Sequence, residues 1–144
     1  MSGAVNLQIP AHAEYLDLVR ICLYGIASKM SFAYEDIEDM KVAVSEACNN
    51  AILHGTQASG LEAIDIRYEA DATGLTIEVA SRGTGAALAG ALSSAAPAAE
   101  GDIGGLKAGG LGLYLMQALM DEVDVRSTSV GTAVVMKKYA AMEP

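Results

Sequence analysis

Basic residues are scarce in this sequence. Its 144 residues include 9 Lys and Arg against 18 Asp and Glu, which gives a formal net charge of −9 at pH 7. A protein that binds the phosphate backbone of a nucleic acid normally carries an excess of basic side chains. Direct binding of nucleic acid is therefore not expected, and a basic region of a protein partner suits the charge better.

Long apolar runs are also missing, and cysteine is rare. No run of 18 apolar residues is present, so we expect no membrane span. The first 15 residues lack the basic region and apolar block of a secretory signal. Cys22 and Cys48 both fall in apolar helical patterns, and we interpret them as reduced core residues rather than as a disulfide. Together these absences predict a cytoplasmic protein.

The apolar content is high enough for a sizeable core. Apolar residues make up 52% of the chain, which excludes a disordered protein. The length is that of one domain. We therefore expect residues 1–144 to form a single domain.

Hydrophobic periodicity in the first half of the chain predicts a strand and two helices. Residues 5–9 alternate between apolar and polar, as in an edge strand that ends at Pro10. Apolar residues at spacings of three and four predict an amphipathic helix over residues 12–30 and a second one over 35–53. Gly55 is the expected stop of the second helix.

The second half of the chain predicts a hairpin, a helix and a second hairpin. Residues 64–69 and 75–79 alternate with period two around a turn at 71–74. A third helix starts directly after Gly110, and two further strands run from 123 and over 132–139. The order β-α-α-β-β-α-β-β predicts an α+β fold, a two-layer α/β sandwich in which a mixed, mostly antiparallel sheet has its helices on one face.

Small residues dominate the segment between the first hairpin and the third helix. Residues 82–110 are almost all Gly, Ala and Ser, with few large apolar side chains. Such a segment buries too little surface to order itself well, so we expect a long mobile loop. Loops of this length in a compact domain are usually functional or disordered.

Two polar residues of the second helix are the first candidate site. Glu46 and Asn50 lie four residues apart and therefore project from one side of the helix. Such a pair could hold a proton acceptor beside a metal-binding amide. The alternative is that these two residues, with Ser45 and Asn49, form a solvated helix face. Spacing alone leaves both interpretations open.

Two glycine-rich motifs are the second candidate. Residues 82–85 (Arg-Gly-Thr-Gly) follow a strand, and residues 109–112 (Gly-Gly-Leu-Gly) precede a helix. A helix N-terminus has free amide protons and the positive end of the helix dipole, so it attracts phosphate. Glycine also serves as a plain turn or cap. The combination of both motifs with the upstream polar pair favours a functional site.

The same segments resemble a known family. Residues 37–55, IEDMKVAVSEACNNAILHG, resemble the N-box helix of the anti-sigma-factor serine kinases of the RsbW/SpoIIAB type. These belong to the GHKL ATPases, with the Bergerat-type fold of histidine kinases and gyrase. The resemblance continues in GGLGLYLMQALMDEVDV (109–125) and GTAVVMKKY (131–139), and in IPAHAEYLDLVRICLYGIASKM (9–30). It covers nearly the whole chain.

The resemblance implies a role for each matching residue. Glu46 matches the glutamate that accepts or orients the proton of the attacking hydroxyl, and Asn50 matches the ligand of Mg²⁺. The loop over residues 86–108 would be the ATP lid. The remaining matches contact ATP: Gly83 and Gly85 beside the adenine, Gly109, Gly110, Leu111 and Gly112 at the phosphates, and Ser81 and Thr132 at the adenine pocket.

The function that the resemblance implies is regulatory. The protein would be an anti-sigma factor that binds a sigma factor and, with ATP and Mg²⁺, phosphorylates a serine of an anti-anti-sigma protein. It would act as a homodimer in transcription regulation, as in a stress response. The alternative is a partner-binding module that keeps the GHKL scaffold but has lost catalysis, with weak or no nucleotide binding.

Ser81 departs from the family pattern. The family usually has an aspartate at this position, in Asp-x-Gly-x-Gly, and that carboxylate accepts a hydrogen bond from the adenine amino group. Here the run is Ser81-Arg82-Gly83-Thr84-Gly85. A neutral hydroxyl forms a weaker bond than a carboxylate, and the difference amounts to about 1–2 kcal/mol. The departure predicts weaker selectivity for adenine.

Overall fold

The computed structural model describes residues 2–57, 63–81, 111–128 and 131–140, with the backbone alone for residues 54–57, 127, 128 and 131. Within these ranges the chain forms five strands and three α-helices. In chain order they are β1 (Gly3–Pro10), a 3₁₀ turn (Ala13–Tyr15), α1 (Leu16–Lys29), α2 (Tyr34–Gln57), β2 (Ala63–Ala70), β3 (Gly74–Ser81), α3 (Leu111–Leu119), β4 (Glu122–Thr128) and β5 (Gly131–Tyr139). The α+β architecture predicted from the sequence is confirmed, in the predicted order.

The five described strands form one sheet in the order β1-β2-β3-β5-β4. Every pairing between these described strands is antiparallel, which agrees with the prediction of a mostly antiparallel sheet. Alternate residues of β2 and β3 are buried against the helices, while Asp65, Arg67 and Glu69 are exposed on the other face. The period-two pattern of the sequence thus assigned the core-facing residues of this hairpin correctly.

The core fills the space between the sheet and the helices. On α2 the buried stripe includes Ile37, Met40, Val44 and Ala47, and α3 contributes Leu113 and Met116. These apolar contacts set the distance of both helices from the sheet. They also position the polar residues that flank the apolar stripe of α2.

The direction of α2 over the sheet follows from contacts near both of its ends. Asn50, towards the C-terminal end of α2, lies against Gly112 at the start of α3, whereas Leu119 at the end of α3 contacts Lys138. Nζ of Lys138 on β5 lies 3.9 Å from Oδ1 of Asp36 in the first turn of α2. From Asp36 to Asn50 the helix advances roughly 21 Å at about 1.5 Å per residue. From Lys138 back to Thr132 the strand covers roughly 20 Å at about 3.3 Å per residue. Asn50 and Thr132 therefore lie at the same end of the sheet.

Two predicted helix boundaries are wrong. Gly55, the expected stop of the second helix, lies inside α2, which continues to Gln57. Glycine ends a helix when it takes a left-handed conformation after the last turn, but a helix also tolerates it at a cost of about 1 kcal/mol relative to alanine. Residues 12–15 also differ, since the chain enters α1 through a 3₁₀ turn.

The cysteines have the predicted state. Both thiols are free; Cys48 is buried, and Cys22 is half-buried and packs against the core.

Among the helices of the described residues, none combines the length and the apolar character that crossing a membrane requires.

Candidate functional site

The polar pair of α2 does not lie on a solvated helix face. Asn50 is only 5% exposed and Glu46 is half-buried, whereas the neighbouring Asn49 is exposed. The interpretation of this group as a solvated face is therefore wrong for Asn50. The apolar stripe of α2 turns towards the sheet, and α3 covers the flank on which Glu46 and Asn50 lie.

Gly112 brings the first turn of α3 directly onto this pair. A Cβ atom at Gly112 would lie 2.8 Å from Nδ2 and 3.4 Å from Oδ1 of Asn50, and 3.1 Å from Oε2 of Glu46. Contacts this short mean that a side chain at residue 112 would have to displace the ends of the Asn50 and Glu46 side chains. The absence of a Cβ thus lets an α-helix begin against a carboxylate and an amide, where its backbone amides and its dipole are available to an anion.

Two buried polar atoms in this region lack a hydrogen-bond partner within the part of the chain that the structure describes. Nδ2 of Asn50 and Oγ1 of Thr132 are both inaccessible to solvent and make no hydrogen bond with any residue that the structure describes. A buried donor or acceptor without a partner costs about 1–3 kcal/mol. Native proteins rarely carry this cost without a reason. Both atoms lie at the same end of the sheet, which suits a site that a polar ligand completes.

Ser81 lies directly opposite Thr132 in the register of β3 and β5. Along β3, Leu75, Ile77 and Val79 are buried, and Ser81 continues this inward row by period two. The apolar row of the core therefore ends in two hydroxyl groups. Ser81 and Thr132 thus face each other at the end of the sheet towards which α2 runs.

Sequence reasoning missed two residues that support the site. Nη1 of Arg20 on α1 donates a hydrogen bond of 3.1 Å to Oγ of Ser45, the residue before Glu46. Nζ of Lys138 donates a hydrogen bond of 2.7 Å to the carbonyl oxygen of Leu119, the last residue of α3. The strand phase could have identified Lys138, since it shares the inward phase of Val134 and Met136 on β5.

The other predicted residues fall into two groups. Leu111 is the first residue of α3, and its side chain is 45% exposed. The expected lid over residues 86–108 lies outside the described residues. The same holds for four of the predicted glycines, Gly83, Gly85, Gly109 and Gly110. Of the second glycine motif, the structure therefore describes Leu111 and Gly112.

Comparison with known proteins gives consistent matches over nearly the whole chain. Residues 9–138 match the family model of the histidine kinase-like ATPase domain. The sequence is 41% identical to the serine-protein kinase RsbW of Bacillus licheniformis over 140 residues, which are 96% of this chain and 87% of that protein. It is 38% identical to the RsbW of Bacillus subtilis, over 94% of this chain and 84% of that protein.

A solved structure supports the fold independently. The chain superposes on a crystal structure of the RsbU and RsbW domains of a Mycobacterium tuberculosis protein with a TM-score of 0.64 at 19% identity. The match covers 97% of this chain but 33% of that one. At this identity the match shows a shared fold and no more.

Proposed function

The chain belongs to the RsbW family of serine-protein kinases, whose ATPase domain is of the histidine kinase-like type, and from this premise we propose that it transfers phosphate from Mg-ATP to a serine of a protein. The observation that carries the proposal is the contact of Gly112 with Glu46 and Asn50. It unites a helix N-terminus, a carboxylate and an amide at one point. These groups bind phosphate, accept a proton and hold a hard cation, respectively.

The described residues fit such a ligand. Asn50 offers an amide, whose oxygen is a ligand type that Mg²⁺ accepts. Its Nδ2 atom is buried and has no partner among the residues described. Gly112 lets the first turn of α3 approach Asn50 and Glu46 closely. At the same end of the sheet, the buried hydroxyl of Thr132 makes no hydrogen bond to any described residue. The two unpartnered polar atoms are costly in the free protein, and a polar ligand would satisfy both.

Bound Mg-ATP would supply the γ-phosphoryl group and a divalent cation that neutralises the charge of the phosphate oxygens. Asn50 would hold the metal through its amide oxygen, and the amides of the first turn of α3 around Gly112 would donate to phosphate oxygens. Glu46 would accept or orient the proton of the serine hydroxyl that attacks. Ser81 and Thr132 would lie beside the adenine ring of the nucleotide. Gly109 and Gly110 would extend the phosphate site.

The protein partners are the finer part of the proposal. We infer that the substrate is an anti-anti-sigma protein and that a sigma factor is the sequestered partner, since the family resemblance implies both. The outer face of α1 supports a role in protein binding, because Leu18, Ile21 and Tyr24 are 46%, 65% and 51% exposed there. Large exposed apolar side chains in one row are typical of interaction surfaces. The net charge of −9 favours a partner with a basic region.

Two variants separate the proposed chemistry from binding. Glu46→Gln keeps the size of the side chain and removes its charge, so phosphate transfer to a serine substrate should be lost while Mg-ATP still binds. Asn50→Ala should instead weaken the dependence of ATP binding on Mg²⁺. Asn49→Ala is the matched control, since Asn49 is exposed on the same helix. Wild-type transfer rates for both site variants would show that this face of α2 is not the catalytic site.

A binding measurement decides between the kinase and a module that only binds its partner. A ligand that binds the native state alone raises the melting temperature with its concentration. We expect Mg-ATP to raise the melting temperature of the wild-type protein. If neither Mg-ATP nor Mg-ADP does so at millimolar concentration, the kinase proposal fails and the partner-binding module is the better hypothesis.

A further inference from the structure

The sheet has a row of cross-strand neighbours at the end where Asn50 lies. The register of the described strands places five residues in this row: Ile9, Ile64, Ser81, Thr132 and Ser127. Within that register the row contains no acidic residue. The next row inward includes Ile66, Val79 and Val134 and is apolar. Ser81 and Thr132 therefore mark the point on β3 and β5 at which the inward-facing residues change from apolar to polar.

The two hydroxyls do not satisfy each other. Ser81 and Thr132 are directly paired across β3 and β5, where opposite side chains lie about 5 Å apart at Cβ. Nevertheless, Oγ1 of Thr132 is buried and has no hydrogen-bond partner among the described residues. Ser81 is half-buried. Thr132 therefore has free hydrogen-bonding capacity beside the hydroxyl of Ser81.

We infer that Ser81 and Thr132 form a neutral base-reading pair that accepts both adenine and guanine, so that the protein binds GTP as well as ATP. The inference rests on the proposed function, because it requires the nucleotide site that Asn50 and Gly112 support. It adds a substrate class, purine nucleoside triphosphates in general. The observation behind it is that Ser81 lies directly opposite Thr132, whose buried hydroxyl has no hydrogen-bond partner among the described residues.

The chemistry of the hydroxyl group explains the loss of selectivity. A hydroxyl both donates one hydrogen bond and accepts others, and its hydrogen rotates to suit its partner. Adenine presents a donor, its 6-amino group, where guanine presents an acceptor, its 6-oxygen. A rotating hydroxyl pairs with either group. An ionised carboxylate only accepts, so it would favour adenine and oppose the oxygen of guanine.

The test compares Ser81→Asp with Ser81→Asn, whose side chains have the same shape but differ in charge. Isothermal titration would measure the binding of the β,γ-imido analogues of ATP and GTP, each with Mg²⁺. For the wild type we expect dissociation constants within about tenfold of each other, the range of one neutral hydrogen bond. Ser81→Asp should raise the preference for the ATP analogue to about 100-fold or more, as polar sites reject an analogue that leaves a group unpaired. Ser81→Asn, which donates and accepts, should keep both nucleotides.

Controls separate the base-reading pair from general effects. Ser28→Asp adds the same charge at an exposed position of α1 and should leave the ratio of the two dissociation constants unchanged. Thr132→Val removes the hydroxyl of Thr132 and should weaken the binding of both analogues by a similar factor. Melting curves show which variants are folded. If Ser81→Asp does not fold, the test relies on the ratio of the two dissociation constants in the wild type and in Ser81→Asn.

Different results would overturn the base-reading pair and the kinase proposal. Binding of the ATP analogue at least 100-fold tighter than that of the GTP analogue by the wild type would overturn the inference and leave the kinase proposal standing. A folded Ser81→Asp variant with an unchanged ratio would also overturn it. If the wild type binds neither analogue, the inference and the proposed function fail together.

Discussion

Gly112 on α3 approaches Asn50 on α2 so closely that a methyl group on its Cα would lie 2.8 Å from Nδ2 of the amide. The nearest atoms belong to the ends of two side chains, Asn50 and Glu46, so a Cβ would displace these side chains before it moved the backbone. The geometry of the site therefore depends on a residue that carries no functional group.

The first prediction is that Gly112→Ala weakens nucleotide binding more than it weakens the fold. Alanine favours a helix by about 1 kcal/mol over glycine, which offsets part of the steric cost. The displaced Asn50 should lower the affinity for Mg-ATP by roughly tenfold, the equivalent of about 1.4 kcal/mol. Isothermal titration and urea unfolding measure the two effects.

The chain offers a matched control for this substitution. Gly25 on α1 is exposed, and a Cβ there would meet no heavy atom within 4 Å among the described residues. Gly25→Ala should raise the free energy of unfolding by about 0.5–1 kcal/mol and leave nucleotide affinity unchanged. An equal loss of affinity in both variants would contradict the role assigned to Gly112.

The second prediction concerns Lys138, which forms a hydrogen bond with the C-terminal end of α3. Its ammonium group donates to the carbonyl oxygen of Leu119 at 2.7 Å and lies 3.9 Å from the carboxylate of Asp36. Lys138→Met keeps an unbranched apolar stem but removes the donor. We expect the free energy of unfolding to fall by about 1–3 kcal/mol, as for a hydrogen bond from a charged group.

Because α3 carries Gly112, the loss of this bond should also weaken Mg-ATP binding by a few-fold. Lys29→Met, at an exposed lysine of α1, is the control and should change neither quantity by more than about 0.5 kcal/mol. The role of Lys138 in positioning α3 would be refuted if its variant lost stability with an unchanged affinity for Mg-ATP.

Most of the helices and strands could be predicted from the sequence because they have one buried face, whereas β1 is largely exposed and was predicted from its alternation alone. The period-two rows of β2 and β3 and the apolar stripe of α2 carry the signal that local reasoning uses. Gly55 shows where such reasoning fails. Whether a glycine ends a helix depends on the conformation that it adopts, and the residue type alone does not determine that conformation.

The contacts within the site could not be predicted in the same way. Spacing placed Glu46 and Asn50 on one side of α2, but it could not distinguish a solvated face from one that α3 covers. That distinction depends on a contact between residues more than sixty positions apart in the chain. The family resemblance identified the residue types, and the approach of Gly112 supplied the physical reason for a glycine.

The third prediction is a pH dependence that originates in the β2–β3 turn. Oδ1 of Asp71 accepts hydrogen bonds from Oγ1 and N of Thr73, at 2.6 and 2.7 Å. Lys137 lies 3.2 Å from Oδ2. The hydrogen bond from the Thr73 side chain, then that from its backbone, and then Lys137 hold the pKa of the Asp71 carboxyl well below its usual range. The folded state therefore favours the ionised form.

A lowered pKa in the folded state stabilises the protein above the unfolded pKa of about 3.9. This contribution is lost as the pH falls from there towards the folded-state value. Asp71→Asn should be less stable than the wild type at pH 7, and the difference should narrow below about pH 4. Urea unfolding from pH 3 to pH 7 measures it, with Asp124→Asn as the exposed control. A constant difference across this range would contradict the prediction.

The fourth prediction concerns the hydroxyl group of Tyr68, which joins the sheet to α1. Tyr68 on β2 is buried, and its hydroxyl donates a hydrogen bond of 2.7 Å to the carbonyl oxygen of Val19. Burial first, and then the nearby thiols of Cys22 and Cys48, raise the pKa of Tyr68 well above its ordinary value. Burial likewise raises the pKa of Cys48, to about 12. The hydroxyl therefore stays protonated in the folded state well into the alkaline range.

Tyr68→Phe keeps the ring and removes the donor, so at pH 7 the free energy of unfolding should fall by about 0.5–1.5 kcal/mol. A tyrosine in the unfolded chain ionises near pH 10, whereas the folded protein keeps Tyr68 neutral. The wild type therefore loses stability as the pH rises above about 10, and the phenylalanine variant lacks this loss. The advantage of the wild type should shrink between about pH 9 and pH 11, as urea unfolding at each pH would show. Tyr24→Phe, at an exposed tyrosine of α1, should follow the wild type throughout. An advantage that stays constant to pH 11 would mean that Tyr68 ionises as easily in the fold as in the unfolded chain, which its burial and its bond to Val19 do not permit.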